Sequence, residues 1–266
     1  MKNNPFEVHG IDHLSASSIN TYISDPAMWC MRYLFDYKHG GNPAMWRGTC
    51  VDHAVGHIYG LGNQNLLLSK EEAIKESEIE YLRLLNYCKK EYPDQIIDKD
   101  KYAKEKKLVP TFAKVAIDFY GKLGTPTSYQ REINLELESI PVPIKGYIDL
   151  QYEDIVRDIK TTMRYPYNVT DAHARQVSVY AKALGSDHAI LDYIVITSKA
   201  KDVISKPVFD IDDHIKAVED IALAIMNLLS YSNEKTEIAK LFYPNFESWM
   251  WGEDEIKYAK SIWSIK

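Results

Sequence analysis

The run Gly146-Tyr147-Ile148-Asp149-Leu150-Gln151-Tyr152-Glu153-Asp154-Ile155-Val156-Arg157-Asp158-Ile159-Lys160 decides the fold of this chain. Residues 142–151 and 154–161 read as two strands, with a turn from Gln151 to Asp154. Residues two apart share a strand face, so Asp158 and Lys160 point one way and Ile159 points into the core. A hairpin around Tyr152-Glu153 places Asp149 opposite a residue between 156 and 158. Directly opposed Cβ atoms lie about 5 Å apart and diagonal ones about 7–8 Å. Asp149 and Asp158 can then share one divalent ion, and the backbone carbonyl of Ile159 can complete the protein ligands. Hard cations such as Mg2+ select carboxylate oxygens. Such an ion activates water and stabilises charge developing on a phosphate. Lys160 would hold the attacking water or a phosphate oxygen as a point charge. Two neighbouring carboxylates repel, which makes a cation part of the design. The competing reading is a solvated strand face, on which a bare D-x-K tripeptide needs no function.

Elements follow on either side of this hairpin. Residues 128–138 alternate as a strand with Tyr129, Arg131, Ile133, Leu135 and Leu137 on one face. A helix is predicted over about Val169–Leu184, and residues 188–198 form an apolar run expected of a strand buried on both faces. Val203–Phe209 reads as an edge strand. Before the sheet, Ser15 caps a helix, Asp25-Pro26 ends it and starts another, and a third runs from Ala44 to about Tyr59. Residues 71–92 read as a long charged helix and 110–123 as a shorter one. After the sheet, helices are predicted at about 212–231, 234–242 and 253–265. The order is helices, then β-β-β-α-β, then helices, which gives an α/β fold with a mixed sheet flanked by helices. One domain over 1–266 is expected: a helical part to about 125, a core over about 126–210, and closing helices from about 211.

Two further groups face this core. His53 lies on the third helix, in Arg47-Gly48-Thr49-Cys50-Val51-Asp52-His53, and reads as a metal ligand or a structural histidine. His53 and His57 are four apart, but Ala54-Val55-Gly56 between them lacks the Glu of H-E-x-x-H, which excludes that metalloprotease pattern. Gln176 and Tyr180 share a helix face. Gln176 can orient Lys160 or a water. Tyr180 can contact a phosphate or simply pack on the sheet.

The chain has 266 residues, 45% apolar and 12% aromatic, with a net charge of −6, so it is globular rather than disordered. An acidic balance is unusual for a nucleic-acid binder. A local basic strip suffices for phosphate contact, however. Arg157, Arg164 and Arg175, with Arg47, are the candidate DNA contacts. The lysines at 99, 101, 104, 106 and 107 form either a second strip or a solvated loop or helix face. No apolar run is long enough to span a bilayer, and Met1 to Pro5 lead into no signal region, so a cytoplasmic protein without membrane partners is expected. Cys30, Cys50 and Cys88 form no C-x-x-C pair and read as reduced and mostly buried.

Taken together, these residues resemble the PD-(D/E)xK nuclease superfamily, and its RecB-like branch in particular. The resemblance rests on Leu14 to Ile19, Gly48 with His53, Glu132, Gly146-Tyr147-Ile148-Asp149, Asp158-Ile159-Lys160-Thr161-Thr162, and Gln176 with Tyr180. These occur in the family's order across about residues 14–200. The resemblance implies a restriction-endonuclease-like core, αβββαβ, with N-terminal and C-terminal helical additions. It implies Mg2+ or Mn2+ on His53, Asp149 and Asp158, catalysis by Lys160, and support from Gln176 and Tyr180. It leaves Glu132 between a catalytic and a strand-end structural role. Many relatives carry an iron–sulfur cluster on one Cys before a Pro near the N-terminus and three near the C-terminus. Here the first position reads Asp25-Pro26, and Tyr243 to Gly252 contains no Cys, so no cluster is expected. Trp249 and Trp251 are expected to pack the C-terminal lobe against the N-terminal helices.

No Walker A motif is present. The chain therefore resembles stand-alone phage-type exonucleases of recombination, repair or replication. The implied partners are DNA ends, single- or double-stranded, a single-strand annealing or replication protein, and further copies of the chain. The alternatives are an endonuclease or flap nuclease, a CRISPR-adaptation-like nuclease, and a catalytically silent DNA-binding module.

Overall fold

The computed structural model describes residues 4–62 and 66–265. Met1 to Asn3, within the stretch read as lacking a signal region, lie outside them. The chain opens with α1 (Pro5–Val8), a short strand β1 (Leu14–Ser15), α2 (Ala16–Ser24) and α3 (Pro26–Trp29), the last continuing into a π-helical turn at Cys30–Leu34. The predicted cap at Ser15 forms, and Asp25 caps the helix that starts at Pro26. Ser15 accepts from the Ser18 N–H, and Asp25 accepts from the Met28 N–H at 3.0 Å. Three longer helices follow: α4 (Pro43–His57), α5 (Lys70–Glu91) and α6 (Lys99–Tyr120). Here α6 departs from the sequence expectation. It begins eleven residues before Pro110, because the Asp98 carboxylate caps the Asp100 and Lys101 N–H groups, and the proline sits inside it.

The sheet comprises β1 with β2 (Ser128–Leu135), β3 (Ile144–Tyr152), β4 (Ile155–Thr162), β5 (His188–Ile196) and β6 (Lys201–Val208). Helix α7 (Asp171–Leu184) crosses between β4 and β5, which are parallel, as a parallel pair requires. The chain closes with α8 (Ile211–Leu229), α9 (Lys235–Ala239) and α10 (Glu253–Trp263). The architecture is a mixed sheet with helices on both faces. On one face, Val51 and Val55 of α4 and Phe112, Ala116 and Tyr120 of α6 pack on Leu150, Ile159, Ile194 and Ile196. On the other, Ile19, Val177, Ala181, Val218 and Ile225 from α2, α7 and α8 pack on Ile144, Ile148, Val156 and Leu191. Among the described residues no helix is long and apolar enough to cross a membrane.

The pairing around β3 creates an opening. β2 runs along one edge of β3 from Ser128↔Gln151 to Leu135↔Ile144. The other edge is shared. β1 pairs in parallel at Ile144 and Lys145, and β4 pairs antiparallel only at Leu150, Gln151 and Tyr152. Between these two neighbours, β3 from Gly146 to Asp149 has no strand beside it on that edge. The hairpin turn is Glu153-Asp154, with Glu153 in the left-handed region at φ 51°. The Leu150↔Arg157 pairing carries Asp149 to the level of Asp158, within the expected register.

The predicted single face of β2 is not formed. Tyr129 packs on the α4–α6 side, whereas Ile133 and Leu135 pack on the α7 side, and Arg131 is exposed. Gln130, between them, adopts a left-handed φ of 48°, which breaks the alternation. Ile148 and Leu150 of β3 likewise pack on opposite sides, although regular strand geometry would give them one face. Both strands turn over at the level of Asp149.

Candidate active site

Ile159 sets the aim of β4. Its side chain is buried in the α4–α6 core, a burial worth about 1.5–3 kcal/mol. That commitment turns Asp158 and Lys160 to the opposite face, toward α7. At the fork where β4 leaves β3, the Asp149 carboxylate takes over the ladder's role, accepting the Ile159 N–H at 2.7 Å. Gly146 makes room for α7, since a Cβ there would overlap Cε1 of Tyr180. Gln176 and Tyr180 can then reach the strand. Lys160 donates to Gln176 Oε1 at 3.0 Å, and Gln176 Nε2 donates to the Tyr180 hydroxyl at 2.7 Å.

A cleft of about 500 Å3 gathers Gly48, Thr49, Asp52 and His53 from α4, Tyr129 and Gln130 from β2, Asp149 from β3, Asp158, Ile159 and Lys160 from β4, and Gln176 from α7. Asp149, Asp158, Ile159, Lys160 and Gln176 are thus brought together. Tyr180 lies buried behind Gln176 and is tied to it by that hydrogen bond. His53 reaches the wall of the cleft, with Nδ1 turned to Glu80 at 3.7 Å. Burial lowers its imidazole pKa, with Glu80 opposing.

Asp52, absent from the sequence assignment, is the third carboxylate. Its Oδ2 accepts from the Tyr129 hydroxyl at 2.7 Å and from Gln130 Nε2 at 2.9 Å. Gln130 Nε2 also donates to Asp149 Oδ1 at 3.0 Å, so one amide bridges two carboxylates. The left-handed backbone of Gln130 gives it that aim. Gly48 and Asp52 are i and i+4 on α4, and that spacing would have pointed to Asp52 ahead of His53. Gln130 gave no sequence signal, because its aim depends on a backbone irregularity. Strand alternation alone puts Tyr129 on one face with Arg131, Ile133, Leu135 and Leu137 and assigns it no polar role.

The electrostatics of the three acids are linked. Burial pushes the Asp149 carboxyl well above the usual carboxylate range, and the charges of Asp158 and Asp52 add to this. Burial raises Asp52 to about 6, against the hydrogen bonds from Tyr129 and Gln130, with Asp158 again adding. Burial works against the charge of Lys160, but Asp158 and Asp149 outweigh it and hold its pKa above normal. Lys160 Nζ pairs with Asp158 Oδ2 at 2.7 Å, while Asp52 Oδ1 is buried without a hydrogen-bond partner among the described residues. Clustered acids with an orphaned oxygen fit a hard divalent cation. Among the described residues no three His, Cys, Asp or Glu side chains are grouped as a ready ligand set. Asp52 Oδ2 and both Asp149 oxygens are instead turned onto Tyr129, Gln130 and the Ile159 amide.

Two of the four proposed DNA contacts are corrected. Arg47 is buried, with its guanidinium on Glu105 and Thr161 and over the Phe112 ring. It braces α4 against α6 and β4 and offers nothing to a phosphate. Arg157 points to the α6 face, where it pairs with Asp192 at 2.7 Å, because its neighbour Asp158 takes the cleft side. Arg164 is exposed, and Arg175 is half-buried with Nε on Asn20 Oδ1 at 2.9 Å. Glu132 is exposed and meets Tyr147 outside the cleft. Cys30, Cys50 and Cys88 are all buried and free, and burial pushes the Cys30 thiol up to about 12.

Residues 13–239 match the family model of the PD-(D/E)XK nuclease superfamily. Among solved structures, a protein from Eubacterium rectale provisionally named an exonuclease is 13% identical, over 92% of this chain and 88% of that one, with a TM-score of 0.48. The structure of SSO0001 is 20% identical over 35% of this chain, with a TM-score of 0.27, and the match spans 47% of that chain. No curated protein matches this chain.

Proposed function

Because the chain belongs to the PD-(D/E)XK nuclease superfamily, we propose that it is a Mg2+- or Mn2+-dependent deoxyribonuclease, an exonuclease of the RecB-like branch working on DNA ends. The observation that carries this reading is the convergence of Asp52, Asp149 and Asp158 on Lys160 at the β3–β4 fork. Asp52, Asp149 and Asp158, with the Ile159 carbonyl, would hold the ion. We place Asp52 in that set and leave His53 on the wall, since its Nδ1 faces Glu80. When bound, the ion supplies Lewis-acid activation of water and stabilises charge on the phosphate.

The chain's own groups do the rest. Lys160 stays charged and carries three donors, one of which is on Gln176. With Asp158 Oδ2 at 2.7 Å facing a second, the third donor can hold the attacking water or a non-bridging phosphate oxygen. Gln176, fixed by Tyr180, sets the direction of that ammonium and is a positioning residue. With every thiol buried and the acids clustered, direct attack by water accounts for the site better than a covalent thiol intermediate.

The test is digestion of linear and covalently closed DNA with Mg2+ or Mn2+, by the parent and by Asp149→Ala and Lys160→Ala. Each substitution is expected to cost about 100-fold or more, the scale for removing one preorganised electrostatic group. Undiminished cleavage by both variants sinks the site assignment. Equal cleavage of linear and closed circles sinks the exonuclease assignment.

A further inference from the structure

The loop from Met163 to Thr170 begins three residues after Lys160 and ends six before Gln176. It carries Arg164, Tyr165 and Tyr167. Tyr165 is 49% exposed and Tyr167 80%, and their ring centroids lie 4.9 Å apart with planes at 55°. The loop is held in place by polar contacts. Thr162 Oγ1 donates to the Arg164 carbonyl and accepts the Arg164 N–H, both at 3.0 Å, and Lys206 Nζ donates to the Tyr167 carbonyl at 3.3 Å. Two exposed aromatic rings on an anchored loop are set up to meet a planar, partly apolar partner.

Met163, the first residue of this loop, also lines a groove of about 670 Å3 with Lys104, Lys107, Leu108, Ile196 and Thr197. Asp100 contributes one carboxylate to the same lining. Lys104 and Lys107 are three apart and share a face of α6. The ion pairs along α6 use Lys101, Lys114 and the buried Glu105, and among the described residues neither Lys104 nor Lys107 takes part in one. The groove therefore joins an apolar floor to two ammonium groups, and Met163 of its lining is also the first residue of the aromatic loop that follows the Lys160 strand.

We propose that this groove and the Tyr165–Tyr167 loop form a track for a single strand of DNA, with phosphates on Lys104, Lys107 and Arg164 and bases stacked on the two tyrosines. This deepens the nuclease reading above and rests on it for the direction of the track toward Lys160. In a duplex the bases are already stacked on each other, whereas a single strand presents the faces these rings can take. Rings interleaved with Lys and Arg fit a nucleic-acid strand better than an apolar protein surface does.

The experiment measures fluorescence anisotropy of a labelled (dT)20 oligonucleotide and of a blunt 20-base-pair duplex, with EDTA present so that no cleavage intervenes. The pair Tyr165→Ala/Tyr167→Ala is expected to weaken (dT)20 binding by about 10-fold or more, while duplex binding changes by less than about 2-fold. Tyr165→Phe/Tyr167→Phe, which keeps the rings, is expected to restore binding. Lys104→Gln/Lys107→Gln is expected to flatten the log–log salt dependence by roughly 1 to 1.5. Parent protein that does not bind (dT)20, an alanine pair that binds it like the parent, or an equal loss on duplex overturns the proposal. Should the parent bind (dT)20 through these residues yet cleave no DNA with Mg2+ or Mn2+, the track stands and the nuclease reading fails.

Discussion

Asp52 and His53 are adjacent on α4 but face different surroundings: one joins Asp149 and Asp158, the other turns to Glu80. The folded Asp52 carboxyl holds its proton up to about pH 6, whereas an unfolded chain releases it near 4. The folded state thus binds more protons in that window, and this group's contribution to stability is lost as pH rises from about 4 through about 6. In chelator at pH 7, Asp52→Asn is expected to raise stability by about 1–3 kcal/mol and to flatten the profile between those pH values. The same variant should lose at least about 10–100-fold in Mn2+ affinity by calorimetry, while His53→Ala stays near the parent. The reverse ranking would return His53 to the ion. In the sequence, both residues lie within one helical turn, and a side chain's aim differs by about a hundred degrees between neighbours on a helix. The motif was therefore legible, but its register was not. Asp149, Asp158 and Lys160 were legible because strand alternation around a buried Ile159 leaves a single choice.

At the scale of elements, the hairpin, α7, the cap at Ser15 and the helix restart at Pro26 follow from local chemistry and appear where the sequence puts them. What escaped was set by tertiary contact. β1 is two residues long and exists because β3 offers it an edge. The left-handed φ at Gln130 gives no compositional warning, yet it carries the amide onto Asp52 and Asp149. Helix α6 passes through Pro110, which a sequence rule takes as a helix start. The glycine of β3 has a sharper consequence. In Gly146→Ala the new methyl would overlap the Tyr180 ring, and that ring is buried and tied to Gln176. Tyr180 must shift, which loosens Gln176 and then Lys160. Overpacking of this kind costs about 1–3 kcal/mol, and a misplaced positioning group about 100-fold in rate. A urea melt and single-turnover cleavage would register both. If the variant keeps full activity, the Lys160–Gln176–Tyr180 chain does not position the ammonium.

Across the whole molecule, the two ends of the chain meet. Trp251 is buried against Ala27, Met28 and Met31, and its Nε1 donates to Asp25 Oδ2 at 2.7 Å. Arg32 pairs with Glu255 beside it. Trp249, expected to share this packing, is 92% exposed. Trp251 fills this pocket, and Phe246 packs edge-on against it there. Asp25 precedes Pro26 near one end of the chain, and Trp251 lies near the other. In this chain a hydrogen bond to a carboxylate links the two segments, while Asp25 Oδ1 caps α3 at the same time. Trp251→Phe keeps most of the ring and loses the donor, leaving part of the Asp25 carboxylate buried without it. Losing a hydrogen bond to a charged group costs about 1.5–3 kcal/mol. Trp251→Ala adds a cavity and should cost about 3–5 kcal/mol. Urea melts of both variants measure these losses. Neither Asp25 nor Trp251 lines the cleft that holds Asp149, Asp158 and Lys160, so at temperatures well below the melt, cleavage by Trp251→Phe should match the parent. A parental midpoint for Trp251→Phe would show that the hydrogen bond does not hold the ends together. Parental stability with lost cleavage would show instead that the C-terminal segment belongs to the substrate site.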